Sequence, residues 1–414
     1  MRTVRIETRA QATQRDETDE LAPVRERYAL PDGVIYLDGN SLGALPAAAP
    51  ARLAHVVSHE WGQRLIRSWD EAEWFTAPAR VAGRIARLIG AGPDEVAVAD
   101  STSVNLFKLL VAACRLRPDR PVIVMHRHDF PTDVYIGRSV AELLGRRLRL
   151  LDGQDPVAAL DRDTALLALS EVDFRTGARR DVHAVTRAAH DVGALALWDL
   201  SHSAGALDVD LAGATADMAV GCGYKYLAGG PGAPAFAMVA RRHHEGLQTP
   251  LPGWMGHADP FAMSPEHVPG PGVAQLAAGT PPVLSLLALE EGVATFEGVA
   301  PGVLRQKGSA LTQLFIELVD ARCSGHGLRL VSPREASRRG SQVSVRHPAA
   351  YPLVQALIRR GVIGDFREPD IARFGFAPAY LRFADVWDAV EHLRAVLAAA
   401  EHADPELPRR GTVT

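Results

Sequence analysis

The stretch Gly221-Cys222-Gly223-Tyr224-Lys225-Tyr226-Leu227-Ala228-Gly229-Gly230-Pro231-Gly232 reads as an apolar strand that ends in one lysine and runs into a glycine-rich turn. Of the 45 basic residues only Lys108, Lys225 and Lys307 are lysines, and the other 42 are arginines. Charge is supplied by arginine, so a lysine kept between two tyrosines in an apolar segment points to an amine that must lose its proton. Desolvation beside apolar neighbours lowers a lysine pKa and makes the amine a nucleophile. A lone lysine at a strand end more often snorkels to water. The balance is tipped by Trp198-Asp199-Leu200-Ser201-His202-Ser203-Ala204-Gly205, an apolar strand that ends in a carboxylate just upstream.

Outward from these two segments, apolar strands and helices alternate. Strands are expected at 95–99, 122–125, 147–151, 164–169, 194–198, 218–221 and 235–239, with helices after 103 and at 133–144, 157–160 and 182–192. Continuous apolar strands separated by helices of this length imply a mostly parallel sheet covered on both faces. Ligands of such folds bind outside the carboxyl ends of the strands. Ser103, Phe130, Asp133, Ser170, Asp199, His202 and Lys225 all fall there. Asp100-Ser101-Thr102-Ser103 precedes a helix, and a hydroxyl-rich helix start offers free N–H groups to a phosphate, although plain helix capping explains it as well.

Residues 249–283 are punctuated by proline and glycine and are expected to form a long ordered excursion with little regular structure. The domain reading is an N-terminal segment 1–30, a large domain 31–297 and a smaller C-terminal α/β domain 298–414. The first twenty residues read as polar and loose, and the last dozen as frayed.

A formal charge of −4 over 414 residues gives no electrostatic reason to expect nucleic acid or an anionic membrane. No apolar run reaches membrane-spanning length, and the start lacks a signal peptide. Cys114, Cys222 and Cys323 are an odd number without paired spacing, which fits reduced thiols and a cytoplasmic location. His126 and His128 alternate on one strand but no further ligand joins them at metal-binding spacing, so no metal is expected.

A lysine amine, an aspartate at a neighbouring strand end and a hydroxyl-lined helix start are what pyridoxal phosphate requires: an imine partner, an anion for the ring nitrogen and a phosphate seat. Six segments carry a closer resemblance: Leu37-Asp38-Gly39-Asn40-Ser41-Leu42-Gly43, Asp100-Ser101-Thr102-Ser103-Val104-Asn105, Phe130-Pro131-Thr132-Asp133, Trp198-Asp199-Leu200-Ser201-His202, Tyr224-Lys225-Tyr226-Leu227 and Gly279-Thr280-Pro281-Pro282. Together, from about residue 30 to 400, the chain resembles the kynureninases.

That resemblance implies the type I, aspartate aminotransferase-like fold of pyridoxal-phosphate enzymes. It also implies a homodimer with active sites at the interface, and hydrolysis of L-kynurenine to anthranilate and L-alanine in tryptophan catabolism. By motif, Lys225 becomes the Schiff-base lysine, Asp199 the ring-nitrogen partner and Tyr224 a proton relay. Thr102, Ser103, Tyr224, Trp254 and Thr280 hold the phosphate, the last two from the second subunit. Phe130 covers the ring, Asp133, Ser170 and His202 surround it, and Arg373 grips the substrate carboxylate with a two-bond fork. Asn40, Trp69 and Gly279 line the substrate pocket, and a bulky Trp69 beside a bare Gly279 favours L-kynurenine over its 3-hydroxy analogue. One departure stands out: the family commonly has Asn where this chain has Ala228, which is expected to alter loop support. Cys323 is set aside as a desulfurase-type nucleophile, because the related desulfurases usually carry a histidine immediately before the lysine and here that place is Tyr224. Two alternatives stay open here: a desulfurase or transaminase of the same fold, and a cofactor-binding protein without catalysis.

Overall fold

The computed structural model describes residues 6–411. Its centre is a seven-stranded sheet of β1 (Val96–Ala99), β2 (Val122–His126), β3 (Arg147–Leu151), β4 (Thr164–Ser170), β5 (Leu195–Asp199), β6 (Met218–Gly221) and β7 (Ala235–Val239), in the order β1-β7-β6-β5-β4-β2-β3. Neighbours from β3 through β6 run parallel, and β7 lies antiparallel to both β6 and β1. Strands β4 to β7 are buried along their whole length, which is why they read as unbroken apolar runs rather than alternating ones. The expected strands are thus present with ends shifted by a residue or so. The expected helix at 157–160 is only a short 3₁₀ turn, Val157–Ala159.

Helices pack on the sheet where their apolar faces demand it. Helix α1 (Thr102–Leu116) begins at Ser101, whose Oγ accepts the Val104 N–H at 3.4 Å, and buries an almost continuous face from Asn105 to Cys114. Helix α2 (Pro131–Leu143) starts with proline at its first turn, where no N–H is needed. In the C-terminal part, α3 (Val303–Arg322) packs with α4 (Phe383–Ala398) against a four-stranded antiparallel sheet that includes Gln342–Arg346, Asp365–Arg367 and Ile371–Gly375. Residues 249–283 carry only short 3₁₀ turns, as expected.

Two terminal expectations are corrected. Of the supposedly loose first twenty residues, 1–5 lie outside the described residues, but Arg9–Asp16 is a helix with a full capping box at Thr8. It is fastened to α4: Arg9 meets Asp388 with two bonds of 2.8 Å, and Asp16 accepts the backbone N–H groups of Phe383 and Ala384. The polar composition misled because this N-terminal helix is held by ion pairs and capping rather than by an apolar stripe. At the other end, Arg359 and Arg360 pair with Asp404 and Glu401, so the described part of the tail is tied down.

The turn after Lys225 contains a local conflict. Ala228 is fully buried with φ of +54°, donating its N–H to the Lys225 carbonyl at 2.8 Å. A left-handed φ costs a residue with a Cβ about 1 to 2 kcal/mol, and asparagine tolerates that region better, which gives a physical meaning to the departure noted above. Ala228→Gly removes the strain and a methyl together, so its thermal midpoint is expected at or near that of the parent. The same exchange at Ala219, buried in the middle of β6, should lower stability by about 1 to 2 kcal/mol. Equal losses at both positions in a melting experiment would show that the left-handed turn carries no strain.

Candidate active site

The register of the parallel strands assembles the site. Ser170 pairs with Asp199 across β4 and β5, and Asp199 pairs with Val220 on β6. The loops that leave these strand ends then bring Ser170, Asp199, His202 and Lys225 to one edge of the sheet. Lys225 Nζ lies 3.0 Å from His202 Nε2 and sits over the rings of Phe130 and Tyr224, at 5.8 and 5.9 Å from their centroids. Phe130 in turn packs edge-on against Phe174, with centroids 5.4 Å apart.

His202 is buried, and burial, reinforced by the Lys225 charge and then by Arg373 and Arg367, holds its pKa well below the usual histidine value. It is therefore a neutral imidazole, and its other nitrogen, Nδ1, is buried without a hydrogen-bond partner. Asp199 is anchored by Ser201, whose backbone N–H and hydroxyl both donate to Oδ1, at 2.8 and 2.6 Å. Asp133 shares a hydrogen bond with Asp199, and burial, followed by the charges of Asp199 and Asp129, pushes its pKa well above the ordinary carboxylate value. Against two buried carboxyls side by side the Lys225 charge acts at a distance, without a direct ion pair among the described residues. A protonated pyridine nitrogen has the charge to fill that need, and the orphan Nδ1 of His202 is a further polar contact waiting for a bound group. With the amine of Lys225, the Phe130 ring and the N–H groups of Thr102 and Ser103 at the start of α1, the residues fit pyridoxal phosphate.

Ser170 owes its place to residues that sequence reasoning passed over. Asp129 accepts the Ser170 N–H at 3.1 Å, and Arg180 donates to both Asp129 and the Ser170 carbonyl, at 2.8 and 2.5 Å. Burial lifts the Asp129 pKa to about 6 against the pull of Arg180. Ser201 carries a local signal, since it follows Asp199 by two positions in an Asx-turn pattern. No spacing links Asp129 to Arg180.

The N-terminal loop locks onto the lysine loop from the far side. The Gly43 N–H donates to the Tyr224 carbonyl at 2.8 Å, and a Cβ at Gly43 would stand 2.2 Å from the Lys225 carbonyl oxygen. Only glycine allows that approach. Beside it, Asn40 is fully buried, donating to Gln342 Oε1 at 3.3 Å while its own Oδ1 has no partner.

Arg373 is also fully buried, and it is more heavily engaged than a free carboxylate clamp. Its Nε and Nη2 donate to the two oxygens of Asp365, its Nη1 to the Phe174 carbonyl and its Nη2 also to Ser41 Oγ. The two-bond fork expected from the sequence is thus occupied by Asp365, a residue that no motif flagged.

The remaining candidates lie elsewhere. Gly279 and Thr280 are exposed and line, with Ser101 and Tyr224, a cavity of about 870 Å³. Trp254 is 44% exposed, packs edge-on against Phe261 and donates from Nε1 to the Pro260 carbonyl. Trp69 packs edge-on against Trp74 at 5.9 Å, and Trp74 is pinned by its N–H to Glu60. Cys323 is buried in the C-terminal part, with its thiol pushed up to about 11 by burial and by Glu391. Among the described residues no cluster of metal-ligating side chains occurs, and no helix is long and apolar enough to cross a membrane.

With this geometry in hand, comparison with known proteins is informative. Residues 304–393 match the family model described as kynureninase C-terminal domain. The chain is 52% identical to a kynureninase of Burkholderia mallei (strain ATCC 23344) over 99% of this chain and 100% of that protein. It is 50% identical to a kynureninase of Pseudomonas fluorescens, over 96% and 98%. Among solved structures, a cysteine desulfurase from Thermococcus onnurineus NA1 superposes with a TM-score of 0.75 at 19% identity, covering 91% of this chain and 98% of that one. One from Escherichia coli does so with 0.75 at 20% identity, covering 92% and 99%. These structures share the type I fold and nothing finer. The half-identical relatives, aligned from end to end, carry more: the chain belongs to the kynureninase family.

Proposed function

We propose that this enzyme hydrolyses the Cβ–Cγ bond of L-kynurenine to give anthranilate and L-alanine, with pyridoxal phosphate held at Lys225. The observation that carries the proposal is the placement of the Lys225 amine between a neutral His202 and the Phe130 ring, beside the paired carboxyls of Asp133 and Asp199. When bound, pyridoxal phosphate supplies the electron sink for the negative charge that develops on the substrate carbon.

The chain's own groups do the rest. Lys225 removes the proton from the substrate α-carbon, and the uncharged imidazole of His202 lies 3.0 Å from its amine. The Asp133 and Asp199 pair keeps an anion against the ring nitrogen. Tyr224, whose phenol is pushed up to about 12 by burial and then by Cys222 and Asp199, keeps its proton at neutral pH. It is therefore suited to donate a proton near Lys225 rather than to take one. Thr102, Ser103, Tyr224, Trp254 and Thr280 are assigned to the phosphate, and Arg373 to the substrate carboxylate. A homodimer fits the exposed apolar side chains Trp61, Ile66, Phe261 and Met263, which a second copy would cover. Desulfurase chemistry is not favoured, because Cys323 is buried and its thiol is held protonated.

Lys225→Arg keeps the charge but removes an amine able to deprotonate. The visible absorbance of the protein-bound cofactor should disappear together with anthranilate formation, and its survival after dialysis would reassign the lysine. Asp199→Asn leaves Ser201 a partner but removes the anion. It is expected to bind the cofactor more weakly and to lose most turnover, whereas Asp199→Glu retains some; full activity of the asparagine variant in an anthranilate fluorescence assay contradicts the role.

For substrate choice, the family resemblance assigns Trp69 and Gly279 to the aryl end. A 3-hydroxyl placed without a partner costs about 1 to 3 kcal/mol, and neither Gly279 nor the single N–H of Trp69 is a natural acceptor for it. The ratio kcat/KM should favour L-kynurenine over 3-hydroxy-L-kynurenine by roughly 5-fold to 150-fold. Steady-state kinetics on both compounds decides the point, and a preference for the hydroxylated substrate removes Trp69 and Gly279 from the pocket.

A further inference from the structure

Asp365 and Arg373 face each other across two antiparallel strands of the small sheet, in register. Both are essentially inaccessible to solvent. A guanidinium has five N–H groups in a fixed plane. In Arg373, Nε donates to Asp365 Oδ1 at 2.7 Å, one Nη2 hydrogen goes to Asp365 Oδ2 and the other to Ser41 Oγ at 2.8 Å. One Nη1 hydrogen goes to the Phe174 carbonyl at 2.7 Å. A single Nη1 hydrogen remains.

The acid that takes this edge is itself thoroughly held. Asp365 accepts from Ser41 Oγ at 2.7 Å, and Arg367 Nη2 lies 2.7 Å from its Oδ2. Burial alone would raise its pKa, but the Arg373 charge and hydrogen bonds and then Arg367 outweigh burial and keep it ionised. Asp38, next to the cluster, is shifted the other way by burial and by the Asp365 charge, so it holds a proton. Two arginines against one ionised aspartate leave a single net positive charge, the right complement for one carboxylate.

Building on the assignment of Arg373 to the substrate carboxylate, we propose that Asp365 is the positioning residue of that site. It holds the Nε/Nη2 edge of Arg373 so that the substrate takes one N–H from Nη1 instead of a two-bond fork, and Arg367 restores the positive charge that Asp365 cancels. Asparagine at 365 cannot replace it, because its amide would set a donor against a donor and the guanidinium would turn.

The competing expectation has the opposite sign. If Asp365 merely cancels charge, its removal strengthens the field on a carboxylate and lowers KM. The test uses holoenzyme, with L-kynurenine as substrate and the corresponding amine lacking the α-carboxyl group as competitive inhibitor. Asp365→Asn is expected to raise KM by about 10-fold to 100-fold with kcat within about 3-fold, while the inhibition constant of the carboxyl-free amine stays put. A lower KM, an unchanged KM, or equal weakening of both ligands overturns the inference. Arg373→Gln run alongside separates the two levels: if it weakens both ligands alike, the carboxylate assignment itself fails. Should Asp365→Asn not fold, Ser41→Ala withdraws one partner from each of Arg373 and Asp365. It should raise KM about 3-fold to 10-fold, again without touching the amine, and no change in KM counts against the proposal.

Discussion

Two carboxyl groups, Asp133 and Asp199, are buried against one another at the carboxyl edge of the large sheet, and the site is arranged around balancing them. Buried like charges do not persist unless a proton or a cation intervenes. The protein meets part of the demand itself: Ser201 donates twice to Asp199, Lys225 lowers the Asp133 pKa in opposition to burial, and Asp133 is driven toward its neutral form. The protonated ring nitrogen proposed for the cofactor would supply the remainder. The same surroundings that make the carboxyls costly make His202 neutral. One buried, low-dielectric edge thus sets an uncharged imidazole beside the lysine and a pair of carboxyls close to both.

Holding that edge together requires close packing of loops far apart in the chain. The loop at 38–43 touches the lysine loop through Gly43, where no Cβ fits, and the C-terminal part through Gly39, where a Cβ would strike the Tyr380 hydroxyl. Tyr226, directly after the lysine, donates to the Ser341 carbonyl in the C-terminal part. Lys225 is therefore flanked by neighbours committed to two separate regions, which leaves its amine little freedom of position. Preorganisation of this kind costs stability locally, and the left-handed Ala228 is where the cost is visible.

The fold was legible because parallel strands buried on both faces read as unbroken apolar runs, and the strand ends then named Ser170, Asp199 and Lys225 together. What escaped were pairings between distant segments. Asp365 precedes Arg373 by eight positions, but only a hairpin sets them face to face. Asp129 and Arg180 belong to different loops. The N-terminal helix Arg9–Asp16 is docked by Asp16 capping α4, an interaction without local signature. Lysine rarity was a partial guide. Lys108 and Lys307 are buried, each in an ion pair with an aspartate, so scarcity alone does not mark a nucleophile. Lys225 differs from those two in being half-buried and in its aromatic and imidazole neighbours.

The small sheet does more than cover the site. Arg373 donates to the backbone carbonyl of Phe174, and Gln342 donates to the same carbonyl at 3.1 Å while accepting from Asn40. The ring of Phe174 packs on Phe130, which lies over the Lys225 amine. The end of the site assigned to the substrate carboxylate and the face assigned to the cofactor ring are therefore joined through one residue, whose carbonyl serves one and whose side chain serves the other. The route from the Arg373 guanidinium to the Phe130 ring runs through the packed atoms of Phe174. Such a connection favours substrates whose carboxylate is seated correctly before bond breaking begins, because binding energy gained at the remote charged end is then available to orient the reacting carbons.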